Sequence, residues 1–404
     1  MTGLPHLSLI SQKCEKNINI LRSLSGVWWG SHPYTQKLLY NAIIRSHLDY
    51  GSFLFDSFNK SNLDILNKIQ SKCLRIILGA MKSSPINAMQ VECGEPPLNL
   101  RRLFLSDRFW FKVVQNSNHP LPPKLIYLQE LLQNPNKTPS LLQSHKTLSQ
   151  LPYRVIQFPR NPLFLTPYDA LVFNPKVILH FGVDKRSTDA RKTFNTYLMQ
   201  NFLGWHFVYT DASKASTDSA VGAAVWIPST KISLSFKCPS ATSVFTGEAV
   251  ALLEAILFIK SHSLNNSIIF SDSKSCLEAI LSNPFRSASF PIILKIKQIL
   301  YECHNLNINI VLAWIPGHSG IPGNETVDSC AKLAAQYGTL EHYHSYSHDL
   351  CTLAHSLLTK SWKAAWNSSK LLTGKYYAQI QPEIPHSPWF FKFRKANKHT
   401  PSAV

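Results

Sequence analysis

With 404 residues, 45% of them hydrophobic, the chain can bury two or three separate cores, which excludes a small scaffold held together by disulfides. Its 41 Lys and Arg outnumber its 23 Asp and Glu for a formal charge of +18; residues 201–340 carry nine of each, whereas residues 1–200 carry 24 basic and 11 acidic side chains. The excess lies in the flanks of a neutral centre, where it fits a polyanionic partner, nucleic acid first, because each cation that meets a phosphate releases condensed counterions; a plainly solvated basic surface is the alternative.

Residues 14–115 read as helical. Lys37 to Tyr50 places Leu38, Tyr40, Ala42, Ile43 and Leu48 on one broad apolar face, and Leu63 to Leu78 repeats the pattern with Leu63, Leu66, Ile69, Leu74 and Ile77 before a stop at Gly79. Residues 119–204 are studded with prolines from Pro120 to Pro175 and lack a sustained period, which predicts a long, partly extended connector.

From 205 the pattern turns α/β. A strand around Phe207-Val208-Tyr209 runs into Asp211, and strands Ala220 to Ile227 and Ile232 to Cys238 follow as antiparallel neighbours across Pro228-Ser229-Thr230. A helix near Val244 to Ser261, a strand Ser267 to Ser271, one or two helices between Cys276 and His304, a strand Ile308 to Ile315 and a helix from Asn324 to about Tyr337 complete the segment. Antiparallel strands followed by strands alternating with helices indicate a mixed sheet covered by helices.

The division expected is a helical region 1–118, a connector 119–204, an α/β domain 205–338 and a basic, partly helical tail 339–404. In that tail a helix is expected around Leu353 to Trp366, with Trp362 and Trp366 as core residues rather than base-stacking platforms. His342, His344, His348, Cys351 and His355 cluster in sequence but lack the paired cysteines of a zinc site.

Four acids interrupt apolar elements. Asp211 ends the first strand on the face of Phe207 and Tyr209, and Asp272 follows Ile268-Ile269-Phe270 in the same manner. Glu248 shares a helical stripe with Leu252, Ala255 and Ile259, where an uncompensated carboxylate is costly. Asp328 falls in the first turn of the last helix, behind Asn324 as N-cap. Singly, each has an ordinary explanation as a turn residue, a half-exposed helix position or a helix-dipole partner. Together they can converge at one sheet edge, and four carboxylates on rigid elements suit hard divalent cations that promote phosphodiester hydrolysis.

Tyr209-Thr210-Asp211-Ala212-Ser213-Lys214, Thr246-Gly247-Glu248-Ala249, Phe270-Ser271-Asp272-Ser273, Trp314-Ile315-Pro316-Gly317-His318-Ser319-Gly320 and Asn324-Glu325-Thr326-Val327-Asp328 resemble the type 1 ribonuclease H family, in family order and with family-like intervals. The resemblance implies an α/β ribonuclease H-like fold: a mixed five-stranded sheet, elements ordered βββαβαβα, with helices on both faces. It implies that Asp211, Glu248, Asp272 and Asp328 bind two Mg²⁺ ions, or Mn²⁺, and act with His318 as the catalytic set. His318 would assist proton transfer or product departure. The activity implied is endonucleolytic hydrolysis of the RNA strand of an RNA–DNA hybrid, leaving 5′-phosphomonoesters. Ala212 stands where many retroelement members carry Gly, and Gly247 where a better helix former is usual. The stretch Ser282 to Phe290 holds only Arg286 in place of the basic protrusion of some cellular members, so hybrid would be gripped through the basic flanks.

Leu48-Asp49-Tyr50-Gly51, Ile69-Gln70-Ser71-Lys72-Cys73-Leu74-Arg75 and Gly94-Glu95-Pro96-Pro97 resemble the region after the polymerase core in reverse transcriptases of non-LTR retrotransposons. That resemblance implies retrotransposon origin and the remainder of such a reverse transcriptase as a partner. The paired aspartates of a polymerase, after Tyr-Ala or Phe-Ala, do not occur here, so no polymerase activity is assigned. Alternatives are a catalytically silent nucleic-acid-binding remnant of a retroelement and a DNA-cutting nuclease or integrase on the same fold. Eight scattered cysteines, no secretory leader and no run of ~20 uncharged apolar residues predict free thiols and an intracellular protein of nucleus or cytoplasm, neither secreted nor membrane-bound.

Overall fold

The computed structural model describes residues 4–26, 29–57, 60–131, 139–151, 154–180, 190–216, 219–287, 290–338 and 344–393. Residues 1–110, 121–151 and 353–404 pack into one compact unit, and residues 111–120 with 152–352 into a second.

The second unit is built on six strands: β1 (Lys176–Ile178), β2 (His206–Lys214), β3 (Val221–Ile227), β4 (Ile232–Cys238), β5 (Ser267–Ser271) and β6 (Ile310–Trp314), in the spatial order β1-β6-β5-β2-β3-β4. β2, β3 and β4 pair antiparallel; β5 and β6 join β2 in parallel. Every residue of β5 is buried, as expected of a parallel strand covered on both faces. On one face Val208, Ile269 and Leu312 meet Leu252, Ile256 and Ile259 of the helix Val244–Ser261 and Ile293 and Ile296 of the helix Pro291–Asn305. On the other, Tyr209, Phe270 and Val311 meet Phe194 and Leu198 of the helix Ala190–Asn201 and Val327 and Ala331 of the helix Pro322–Tyr337. The mixed sheet with helices on both faces, preceded by a mainly helical region, is thus as the sequence leads one to expect.

The expected five strands are present, and β1 adds a sixth, parallel to β6 with Val177 opposite Leu312. It lies within the Pro-rich stretch, which also holds the helices Leu121–Leu131, Ser140–Ser149, Pro162–Leu165 and Tyr168–Val172 rather than an extended connector. The prolines start these helices: Pro139 and Pro167 are N-caps and Pro162 occupies a first-turn position, where a missing N–H costs no hydrogen bond. Residues 121–151 and 152–204 accordingly fall in different units. On the far side, residues 344–352 belong with the sheet: Ser345 bridges to Val155, and Tyr346 packs against the sheet core.

In the helical unit, Leu7, Ile18 and Leu21 of the helix Leu4–Ser23 pack on Tyr40, Ile44, Leu66, Ile69 and Leu74. Polar side chains tie its helices together. Lys37 Nζ donates to Cys93 O at 2.7 Å and pairs with Glu95, whose Oε1 also accepts from Arg45 Nη1 at 2.7 Å. Arg101 holds Asp49 through two hydrogen bonds of 2.7 and 3.1 Å, and Gln70 Nε2 donates to Pro96 O at 3.0 Å. Trp362 and Trp366 are buried against Val91. All eight cysteines are free thiols, and no helix among the described residues is long and apolar enough to cross a membrane.

The helix Pro322–Tyr337 rides directly on β3. A Cβ at Gly222 would overlap Ala331 O and Ala335 N, both backbone atoms with no rotamer through which to yield. Gly222→Ala is therefore expected to destabilise the sheet unit by about 1–3 kcal/mol through overpacking, measured as a lower urea midpoint. An unchanged midpoint would contradict this close approach.

Candidate active site

Asp211 projects from β2 on the face of Tyr209, with Ala224 opposite it on β3. β2 continues to Lys214, so Asp211 sits inside the strand and not at its end, held by ladder partners rather than by a turn. Asp272 does follow the last residue of β5, and its carbonyl accepts from Trp314 Nε1 at 3.0 Å and from Lys274 N at 3.0 Å.

Glu248 arrives from the opposite face of the sheet, on the helix Val244–Ser261. Gly247 explains how: a Cβ there would lie 2.5 Å from Val221 Cγ1 and 3.0 Å from Ala212 Cβ. The poorer helix former is what lets the first turn descend onto β2 and β3. Glu248 Oε1 then accepts from Ala212 N at 3.2 Å, sharing that amide with Asp211 Oδ1 at 2.7 Å.

Carboxylate oxygens of Asp211, Glu248 and Asp272 all lie within 4.8 Å of one another. Glu248 is 5% exposed and its Oε2 is buried with no hydrogen-bond partner. Burial, and then the charge of Asp272, push the Asp211 carboxyl up to about 7. Burial, then Asp211 and Asp272, push Glu248 well above the usual carboxylate range. An all-oxygen donor set with an orphaned buried carboxylate oxygen is the chemistry that hard divalent cations satisfy.

Asp328 is placed differently from the other three. The last helix begins at Pro322 with Ile321 as N-cap, so Asn324 lies within its first turn and Asp328 in its second, one turn deeper than the apolar pattern implies. The shift follows from Pro322, which opens the helix before the periodic residues begin. Asn324 is buried instead of capping, and its Oδ1 has no partner. Asp328 accepts from Lys332 Nζ at 2.6 Å and groups with His318 and Glu325, their ligand atoms mutually within 4.8 Å. It stands near enough to raise the Asp211 carboxyl.

His318 is exposed, in the left-handed region at φ 52°, in a loop tied by Ser319 Oγ to Pro316 O at 2.7 Å and by Gly320 N to Glu325 Oε1 at 3.3 Å. Glu325 was not singled out by sequence reasoning. Its signal was its spacing, since a residue three before Asp328 shares a helix face with it. In the His-rich tail, His342 lies outside the described residues, and His348 turns toward Thr246 Oγ1 at 3.0 Å. The side chain of Arg286 also lies outside the described residues.

A raised Asp211 carboxyl means that the folded state binds this proton more tightly than the unfolded chain. Its contribution to stability is present below about pH 4 and is lost as the pH rises through about 7. At pH 8 without metal, Asp211→Asn is therefore expected to raise the melting temperature by a few degrees, with the gain shrinking toward pH 5. Added Mg²⁺ is expected to stabilise the parent and not this variant; thermal scans in which the variant melts lower at pH 8 would contradict the crowding.

No curated protein matches this chain. Residues 205–336 match the model of the RNase H family. The strands β2 to β6 and their helices are accordingly an RNase H domain, of a nuclease and nucleic-acid-binding family, set within a longer chain.

Proposed function

We propose that this chain is a metal-dependent RNA–DNA hybrid endoribonuclease derived from a retrotransposon. The observation that carries the reading is the convergence of Asp211, Glu248 and Asp272, with Glu248 Oε2 buried and unpartnered among them. Those three acids are the residues that would hold Mg²⁺, with Asp328 contributing from its neighbouring group. When bound, two such ions activate water and offset charge on the phosphate during in-line displacement.

The chain's own residues supply the rest. Ala212 N orients Asp211 and Glu248 together, and the Trp314 indole fixes the backbone of Asp272. His318, exposed beside Asp328 and Glu325, is suited to deliver a proton to the departing 3′-oxygen, so that the product keeps a 5′-phosphate. Choice of the RNA strand would rest on its 2′-hydroxyls, displayed in a wide, shallow minor groove. The nine-to-nine charge balance of residues 201–340 leaves most phosphate contact to the basic flanks, which include the reverse transcriptase-like helices.

Labelled RNA–DNA hybrid, duplex DNA and single-stranded RNA, each with and without Mg²⁺, test the reading. Hybrid alone should be cut, only with metal. Asp272→Asn should lower the rate by about a hundredfold or more, since even residues supporting a metal ligand cost about 10–100-fold. Cutting without metal, or undiminished in Asp272→Asn, would refute the mechanism; binding without cutting would mark a silent remnant.

Salt provides a separate check on the flanks. Hybrid affinity of the full chain should fall by roughly 10³-fold between about 50 and 200 mM salt if several phosphates are neutralised. A flat dependence would show that the basic excess does not face the nucleic acid.

A further inference from the structure

The RNase H match ends at residue 336, yet the same compact unit continues to residue 352. The segment Ser345–Leu350 returns to the sheet unit: Ser345 N donates to Arg154 O at 2.8 Å, Ser347 N donates to Gln115 Oε1 at 3.0 Å, and Ser345, Asp349 and Leu350 are buried. What it meets there is the first turn of the helix that carries Glu248.

Ser243 is the N-cap of that helix, and its hydroxyl accepts from Thr246 N at 3.2 Å. In a capping box the residue at Thr246's position is Glu or Gln, whose side chain returns to the N-cap amide. Thr246 is too short for that. Asp349 supplies the missing carboxylate from another part of the chain: its Oδ1 accepts from Ser243 N at 3.1 Å and from Thr246 Oγ1 at 2.9 Å. His348 Nε2 lies 3.0 Å from the same hydroxyl. With Thr246 donating to Asp349, the Nε2–H tautomer of His348 donates to Thr246 in turn. The His348 ring is held by Phe290 at 4.7 Å between centroids and by Tyr346 at 5.6 Å.

A fully buried carboxylate outside the acid group needs a reason to be there, since burial without compensation is costly. Here the compensation reaches Oδ1, from two donors at the positive end of a helix, while Oδ2 is buried without a hydrogen-bond partner; the beneficiary is the turn containing Gly247 and Glu248. We infer that Asp349 and Thr246, backed by His348, are positioning residues for Glu248: residues 345–350 complete the candidate active site by clamping its helix against β2 and β3. This rests on the metal-binding reading of Glu248 given above.

The test uses the full chain. Thr246→Val removes the hydroxyl at nearly constant volume, Thr246→Ser restores it, and Asp349→Ala removes the acceptor. Titration calorimetry with Mg²⁺ alone should show roughly tenfold weaker binding for Thr246→Val and Asp349→Ala. Binding should return to within about twofold of the parent in Thr246→Ser, and the double variant should be no worse than either single one. With hybrid, kcat should fall while KM holds. Amide exchange at Phe245–Ala249 should quicken in the same variants. If Thr246→Val does not fold, Thr246→Ala substitutes for it: alanine is the better helix former, so a merely structural role predicts unimpaired Mg²⁺ binding and positioning predicts the loss. Parent-like Mg²⁺ affinity in folded Thr246→Val or Thr246→Ala overturns the inference. A parent that binds Mg²⁺ but leaves hybrid uncut would refute the hybridase reading while calorimetry still decides the positioning; a parent that binds no Mg²⁺ overturns both.

Discussion

Three carboxylates gathered within 4.8 Å in a largely buried place set the terms for the sheet unit. Desolvation and mutual repulsion both oppose ionisation there, as the upward displacement of Asp211 and Glu248 records. With its carboxylates ionised, such a cluster works against the metal-free fold, so its geometry has to be imposed from outside. Asp211 is held in a strand paired on both sides, to β3 and β5, and Asp272 follows directly on a strand buried along its whole length. Elements fixed so firmly by apolar packing can carry a repulsive arrangement without rearranging to relieve it.

Glu248 and Asp328 come from helices, which stand farther from the strands than backbone neighbours do. Small residues close the gap. Gly247 meets Val221 and Ala212, and Gly222 meets the backbone of Ala331 and Ala335 on the helix that bears Asp328. The separations are shorter than any side chain at those glycines would allow, so the acids can be reached from both faces of the sheet. Loss of helix propensity at Gly247 is the local cost of bringing Glu248 to the amide of Ala212.

The unit extends beyond the segment that matches the RNase H family. β1 and the helix Ala190–Asn201 add to it on the N-terminal side, and Ser345–Leu350 on the C-terminal side. These additions differ in consequence. β1 lengthens the sheet next to β6, away from the acids on β2 and β5, whereas Asp349 bonds directly to the turn that precedes Glu248. In the helical unit the motif residues Asp49, Gln70 and Glu95 are bound to neighbouring helices, which accounts for polar side chains within an apolar pattern.

Much of this was legible in the chain itself. The helix Val244–Ser261 and the strands Ile232–Cys238 and Ser267–Ser271 have the bounds that periodicity and turn residues assign them, because long apolar periods and tight turns are local properties. The four acids stood out because a charge on an apolar stripe is conspicuous without any coordinates. Other features depended on partners distant in sequence. β1 is three residues whose only claim to be a strand is the neighbouring β6. Prolines that read as breaks proved to be helix starts. Asp328 joins His318 and Glu325 rather than the tightest acid group, and lies in the second turn of a helix that Pro322 opens earlier than the apolar period does. Asp349, one acid in a polar tail, acquires meaning only beside Ser243 and Thr246, more than 100 positions away. A charge that is chemically out of place can be recognised along the chain, but which charges meet depends on the fold, since burial and hydrogen bonding are relations between segments and not properties of any one of them.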